Sequence, residues 1–370
     1  LIQVERLGRR MAGRETALVV TSDLGRTRAT GAVVGGGEPL AEWRVFDLGV
    51  WDGVRPEEIR RQFPDITSER FGSGDFQPEG GERFSDFTDR VRGAFDALAA
   101  RIDDGEEAIA VTHGGVIQTI VGSVMGAADQ SAMLVPSNAS LTTIRLSGDR
   151  AEVFSLNDDL HLEGAVARPS GARLRFIRHA QTDANLEHRW WGRGESRLTS
   201  TGRRQADALA QAFGTYDTLA SSPSSRARDT AAAVAADGST VHIVDDLVEI
   251  HFGEWEGLTP AEARATDPEA FRRIFEEGRD EPRGTTGETF ADAGRRLEAA
   301  AAALAANESG TVGVFTHGGV TRAYVARLLG IPFPNRDVIP VPRNTAHSDV
   351  IYGGSGPRIS SYNVAAHLRD

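Results

Sequence analysis

The chain contains neither cysteine nor lysine. Without cysteine there can be no disulfide, no thiolate metal site and no cysteine nucleophile. A reducing cytoplasm is compatible with that, and cytoplasmic localisation is the expectation. Without lysine, P-loop, Schiff-base and kinase-type chemistries lose the ammonium group that each depends on. No apolar run approaches the length of a membrane span, so no membrane partner is expected. The start, "LIQVERLGRRMAG", has no signal-peptide core, and it also lacks an initiator methionine, which leaves a preceding segment open. Positive charge is in deficit: 41 arginines face 53 carboxylates, for a formal charge of −12. A nucleic-acid binder needs a basic face, so no nucleic-acid partner is expected. Any anion handled here has to be held locally by arginines.

What is present is an ordinary soluble composition, 40% hydrophobic and 25% charged, over 370 residues. That is length enough for two domains with separate cores. Self-comparison shows how they arise. "SDLGRTRATGAVV" (22–34) matches "SPSSRARDTAAAV" (222–234), and "FDLGVWDG" (46–53) matches "IHFGEWEG" (250–257). "GGERFSDFTDRVRGAFDALAA" (80–100) resembles "TGETFADAGRRLEAAAAALAA" (286–306), and "AVTHGGVIQTIVGSVMG" (110–126) matches "VFTHGGVTRAYVARLLG" (314–330). "VPSNAS" (135–140) pairs with "VPRNTA" (341–346), and "LNDDLHL" (156–162) with "YNVAAHL" (362–368). The order is kept while the offset drifts only from 200 to 206, which is a tandem duplication of one domain. A solenoid would need a far shorter period. The joint falls near the Gly/Pro/Ala stretch "EGAVARPSG" (163–171), giving domains 1–165 and 172–370.

In the second copy, strands are expected over 173–178, before "SSP", over 241–244 and over 310–316, with two short ones in the tail. Helices are expected over 200–213, 224–236, 259–277, 288–306 and 319–329. Strands alternating with helices indicate an α/β domain around a mostly parallel sheet. In such sheets sites gather where strands end and helices begin. Arg178, His179, Arg226 and His317 all fall at such junctions, and Glu249 precedes "IHFGEWEG". Two arginine forks and two imidazoles without metal-type spacing suit a dianionic phosphate. One imidazole can attack phosphorus, the other cations can stabilise the equatorial oxygens, and a carboxylic acid is then needed for the departing alkoxide. An Arg-His pair at a strand end is ordinarily a solvated terminus, and only its three partners in order raise it above that.

"RHAQTDAN", "SSPSSRARDTA", "EIHFGEWEG" and "THGG", in this order, resemble the histidine phosphatase superfamily, the phosphoglycerate mutase-like group. The resemblance covers essentially all of 172–370. It implies two tandem three-layer α/β domains of that type and a metal-independent phosphomonoesterase with no cofactor. It implies His179 as the phosphorylated nucleophile, Arg178, Arg226 and His317 as the phosphate pocket, Asn185 as a further phosphate ligand and Glu249 as the proton donor. Gly318, and Arg193 beside Trp190 and Trp191, are the remaining substrate-binding candidates. Ala180 stands where many members have glycine. The short spacing between "GEWEG" and "GETFADAGRR" is closer to the compact phosphatases than to phosphoglycerate mutases, the rival reading.

The other histidines carry less. His188, His242, His251 and His347 are expected at the surface or substrate rim, and His161 and His367, at equivalent tail positions, as structural. Trp190 and Trp191 fit a core or a substrate loop equally. The Asp pairs at 103–104, 158–159 and 245–246 are expected as solvated turns, and "GGGEP" (35–39) and "GGSG" (353–356) as loops. No metal site is expected.

The first copy keeps Arg26 and His113, aligned with Arg226 and His317, but Val45 stands opposite Glu249, and Glu42 and Asp47 are out of register. The offset puts its nucleophile about 21 residues before Leu1, outside the sequence. It is therefore expected to be degenerate or incomplete, a phosphate-binding or structural domain. The substrate is expected to be a small phosphorylated metabolite, with sugar phosphates, phosphoglycerate derivatives and nucleotide-loop intermediates all open.

Overall fold

The computed structural model describes residues 2–62, 75–127, 132–162, 164, 171–213, 216–236, 239–308, 310–354 and 356–368. The joint expected at 163–171 lies outside them, apart from Gly164 and Gly171. By compactness the chain forms two units. The first takes Leu1–Val124, Val135–Leu141 and Asp159–Ala167, and the second takes Met125–Leu134, Thr142–Asp158 and Arg168–Asp370. The repeats and the units therefore divide the chain differently: residues 142–158 are written in the first repeat and fold with the second unit.

The first unit carries α1 (Ile2–Met11), β1 (Leu18–Ser22), α2 (Gly25–Gly31), β2 (Glu38–Leu40), α3 (Pro56–Gln62), α4 (Phe84–Ala99), β3 (Ala108–Val111) and α5 (Gly114–Met125). Its sheet runs β2-β1-β3, with both pairings parallel. The first residues of "GGGEP" are the left-handed glycines of a turn, as expected of a loop, but Glu38 onward belongs to β2. α4 buries Phe87, Val91 and Ala94, the spacing of one helical face.

The second unit contains β4 (Leu141–Ser147), β5 (Arg150–Asp158), β6 (Ala172–Arg178), α6 (Asp183–Leu186), α7 (Ser200–Ala212), β7 (Thr218–Ser221), α8 (Ser225–Val234) and β8 (Val241–Ile243). It continues with α9 (Pro260–Thr266), α10 (Pro268–Phe271), α11 (Phe290–Asn307), β9 (Thr311–Thr316), α12 (Gly318–Leu328), β10 (His347–Gly353) and β11 (Gly356–Val364). One sheet of eight strands runs β4-β5-β11-β10-β6-β9-β7-β8. The β6-β9-β7-β8 half is parallel, while β10 joins β6, and β11 joins β10 and β5, antiparallel. The two sheets share a register: Val20 faces Ala110 as Ala220 faces Val314.

The α/β expectation holds, with two differences in the elements. The helix expected over 259–277 is broken at Asp267-Pro268, because the residue before proline is pushed out of the helical region and Asp267 instead caps α10 through Ala270 N–H at 3.0 Å. A π-helical turn over Arg272–Glu276 follows. The tail strands are long, seven and nine residues, since both lie inside the sheet and not at its edge. The core gathers around β6 and β9, where Leu174, Phe176, Val312 and Val314 are essentially without exposure. α11 crosses α12 closely at Gly294, where a Cβ would meet the Ala323 carbonyl at 2.9 Å.

Candidate active site

β6 ends at Arg178 and hands the chain to His179, whose N–H is taken by the Thr316 carbonyl at the end of β9. β6 and β9 pair in parallel with Arg178 opposite Thr316, so both polar tips lie at the same end of the sheet. His179 is 4% exposed, and its Nδ1 donates to the Ala180 carbonyl at 2.8 Å. With that proton fixed, Nε2 is the unprotonated nitrogen. Burial, then Arg226 and Arg178, hold the imidazole well below its ordinary range. Ala180 is itself buried, and its N–H goes to Thr230 Oγ1 at 3.0 Å.

The His317 ring lies 5.2 Å from the His179 ring, edge to face. Arg226 Nε donates to His317 Nδ1 at 3.3 Å, and His317 Nε2 meets Ser222 Oγ at 2.9 Å. Burial, then Arg226, His179 and Arg178, keep this imidazole neutral too. Arg226 is 1% exposed, and its other donors go to the carbonyls of Trp191, Gly192 and Gly194 at 2.8–3.0 Å. Arg178 gives one N–H to the Pro342 carbonyl at 2.7 Å, while its buried Nε has no partner among the described residues. Gly318 leaves the room for that side chain: a Cβ there would stand 3.1 Å from Arg178 Nε. A buried guanidinium with an unfilled donor, beside a second one, is a seat for an anion.

Glu249 closes the group. Its Oε1 accepts N–H from Ile250 at 2.8 Å and Val320 at 2.7 Å, and its Oε2 accepts from Gly319 at 2.8 Å. Arg296 fixes the backbone on either side, donating to the carbonyls of Asp246, Val248 and Glu249 while forking onto Glu288. Asn185 stands in the capping box of α6, its Oδ1 taking the Thr182 N–H at 3.1 Å.

His179, His317, Arg178, Arg226, Glu249, Asn185 and Gly318 thus come together. Arg193 does not join the buried group: its side chain is 46% exposed, with Glu288 at 3.9 Å. What its loop contributes is the carbonyls around Arg226. Of the tryptophans beside it, Trp190 stacks on Phe252 and Phe275, and Trp191 gives its indole N–H to the Glu195 carbonyl. Sequence reasoning passed over Ser222, Thr230 and Asn344. The amide N–H groups of Asn344 go to the His179 carbonyl at 3.0 Å and Asn185 Oδ1 at 3.1 Å. Ser222 and Asn344 lay inside repeated stretches, "SPSSR" and "VPRNTA", and that repetition was the available signal.

Two expectations are corrected. His347 is not at the surface but 3% exposed, edge-on to Phe213, because β10 is an inner strand. Asp158 is likewise buried, at 8%, since β5 runs through it. His188 and His242 are exposed, and His161 and His367 make equivalent contacts across 22 residues, to the Ala139 carbonyl and Thr345 Oγ1.

In the first unit the same chain of contacts recurs: Arg26 meets His113 Nδ1 at 3.3 Å, and His113 Nε2 meets Ser22 Oγ at 3.0 Å. Arg90 forks onto Glu82 and reaches the carbonyls of Glu42 and Arg44, as Arg296 does in its own unit. The loop is therefore built, but Val45 carries no acid. Among the described residues Glu42 is engaged through its carbonyl, and Asp47 holds the Gly49 N–H. No helix of the described residues is long and apolar enough to cross a membrane.

Comparison with known proteins agrees with this geometry. A bifunctional protein of Mycobacterium tuberculosis is 40% identical over 164 residues, covering 43% of this chain and 44% of that protein. The match thus spans less than half the length of that relative. Glucosyl-3-phosphoglycerate phosphatase from the same organism is 35% identical over 175 residues, covering 44% of this chain and 78% of its own. The crystal structure of a phosphoserine phosphatase from Entamoeba histolytica, in complex with phosphoserine, superposes with a TM-score of 0.50 at 28% identity, covering 54% of this chain and all of that one. The family described as the histidine phosphatase superfamily (branch 1) matches twice, over residues 1–159 and 174–365, and the chain belongs to it.

Proposed function

We propose that the second unit is a metal-independent phosphomonoesterase that works through a phosphohistidine on a small phosphorylated metabolite, the class for which its relatives are named. The observation that carries this reading is the His179 ring: Nδ1–H is spent on Ala180, and a neutral Nε2 is left beside two buried guanidinium groups. The phosphate oxygens are held by the unfilled Arg178 Nε, by the remaining Nη1 proton of Arg226, by His317 once its Nε2–H turns from Ser222 Oγ to the anion, and by the Asn185 amide. His179 Nε2 attacks phosphorus and the bond to the leaving oxygen breaks. Glu249, in its acid form, gives that oxygen its proton, and the alcohol departs. Oε2, with a single N–H donor on it, has room for the proton. Glu249, now a carboxylate, takes a proton from water as the water attacks the phosphohistidine, and phosphate and neutral His179 are restored. The cations supply the charge stabilisation that a metal supplies elsewhere.

His179→Ala is expected to abolish hydrolysis of every phosphomonoester in a substrate panel. Glu249→Gln is expected to slow poor leaving groups most and activated aryl phosphates least. Chelators are expected to leave the rate unchanged. Full activity in His179→Ala would overturn the assignment, as would a chelator-sensitive rate restored by magnesium or zinc. For the first unit the same reading is a non-catalytic domain, because Val45 stands in the place of the acid.

A further inference from the structure

The site depends on one turn, Pro342–Ala346, whose Pro342 carbonyl takes an Arg178 N–H. Asn344 lies in it and spends its amide N–H groups on the His179 carbonyl and Asn185 Oδ1. The second contact has a chemical consequence. Asn185 Oδ1 now holds two donors, Thr182 N–H and Asn344 Nδ2–H, so the Asn185 amide nitrogen is the end that faces outward. An anion needs that donor, and the flipped amide would present an oxygen instead.

The turn is seated from its far side by Asn363, a wholly buried residue of β11. Asn363 Oδ1 accepts the Arg343 N–H at 2.7 Å, and Asn363 Nδ2 donates to the Phe154 carbonyl at 2.7 Å. Phe154 belongs to β5, the strand written in the first repeat, and its ring lies 5.2 Å from the Arg343 guanidinium. The pairing of β5 with β11 is symmetric in the repeat. Leu156 faces Tyr362, its own counterpart, and Asn157 Nδ2 donates to the Ser360 carbonyl at 2.7 Å just as Asn363 does to Phe154. Among the described residues it is the Asn363 contact that continues, through Arg343 and Asn344, to His179.

The geometry points to Asn363 as a positioning residue for the phosphate end of the site, anchored on a strand that the first repeat supplies to the second unit. The first repeat thus has a part in catalysis without a catalytic centre of its own: β5 fixes Asn363, Asn363 seats Arg343, and Asn344 then orients Asn185.

The test is the inhibition constant of inorganic phosphate, measured on turnover by the full chain. Asn363 has φ 53° and Asn157 has φ 52°, so glycine fits either position without backbone strain. Asn363→Gly is expected to raise the phosphate inhibition constant and KM about tenfold, the effect of one misplaced hydrogen bond to an anion, with a smaller change in kcat. Asn157→Gly removes the symmetric contact and is expected to leave both constants unchanged. Asn344→Ala is expected to match Asn363→Gly, and the double variant to be no worse than either alone, since residues that act through one another are not additive. Asn363→Asp keeps the acceptor for Arg343 and loses the donor to Phe154, and a raised constant there supports the anchoring by β5. An unmoved constant in Asn363→Gly, additive effects in the double variant, or equal damage from Asn157→Gly overturns the inference. If Asn363→Gly fails to fold, Asn344→Ala and Asn363→Asp decide it, and parent-like constants in both overturn it. The inference rests on the phosphatase reading. A parent chain that hydrolyses no phosphomonoester fails that reading, whereas an active parent with unmoved constants in the variants fails this inference alone.

Discussion

The Glu249 carboxylate sits on the first turn of α12, 2.8 Å from the Gly319 N–H, and the absent side chain of Gly319 is what lets it lie there. A Cβ at that position would meet Oε1 at 2.8 Å and Oε2 at 3.2 Å. The counterpart in the other unit, Gly115, has nothing within 4 Å of a built Cβ, since Val45 replaces the acid. The two glycines answer differently to one substitution. Gly319→Ala is expected to push the carboxylate aside and cut hydrolysis of poor leaving groups on the order of a hundredfold, the scale of a lost general acid. Gly115→Ala is expected to leave the rate alone and to raise stability by about 0.5–1 kcal/mol, as alanine for glycine in a helix does. Parallel assays and melts of the two variants check this, and an active Gly319→Ala enzyme on alkyl phosphates refutes it.

A second prediction concerns stability. Asp349 is 3% exposed and holds Arg175 in a two-point fork at 2.9 Å, with Arg173 at 3.2 Å. The two arginines hold its carboxyl far below the usual carboxylate range, although burial opposes them. Asp349→Asn leaves two guanidinium groups beneath the sheet without a counter-charge, which costs about 3–5 kcal/mol when a buried pair is broken. For a unit of this size that lowers the melting temperature on the order of 10 °C. Asp337→Asn is the control: Asp337 pairs with Arg322 at 2.6 Å but is 70% exposed, and its loss is expected to cost under about 1 kcal/mol. Comparable losses in the two variants would refute the distinction.

The third follows from the neutral imidazoles. His179 and His317 are held well below the ordinary 6.5, so Nε2 of the nucleophile stays free in mild acid. The acid limb of kcat/KM is therefore expected well below pH 6.5, and a half-maximal point near 6.5 would contradict it. Stability behaves differently. Burial holds His347 at about 3 and His367 at about 4. As pH falls below 6.5 the unfolded chain binds protons that the folded chain refuses, so stability is fully present above 6.5 and drains away toward pH 3–4. Melting temperatures across that window check it, and a flat profile refutes it.

The candidate site was legible in the sequence because a phosphate pocket draws on rare, charged side chains at strand ends. Arg178, His179, Arg226, Glu249 and His317 could be named before any geometry. Ser222 and Asn344 stood out only as repeated positions, without a role: they act on the site through a ring nitrogen, a carbonyl and an amide oxygen belonging to residues distant in the chain. The burial of His347 depended on knowing that β10 lies inside the sheet. The placement of β4 and β5 was hidden for a different reason. Two copies of one strand pattern carry the same periodicity, and nothing in the pattern says which copy of the sheet a strand joins.

The last prediction sets the two histidines of the repeated "THGG" against each other. His113 and His317 make the same contacts, to Ser22 and Arg26 in one unit and to Ser222 and Arg226 in the other. Among the described residues only His317 has a second imidazole beside it, 5.2 Å away, and a carboxylate placed on its helix. His317→Ala is expected to fall by roughly two to three orders of magnitude, as for a lost contact to developing charge. His113→Ala is expected to stay near the parent, since Val45 stands where the second unit has its acid. The proposed contribution of the first repeat to turnover runs through β5 and not through His113, which keeps the two effects separable. Equal damage from both alanines, measured on one substrate in the full chain, would mean that the first unit is catalytic after all. In that case Glu42 and Asp47, both out of register with Glu249, are the carboxylates to test as its proton donor.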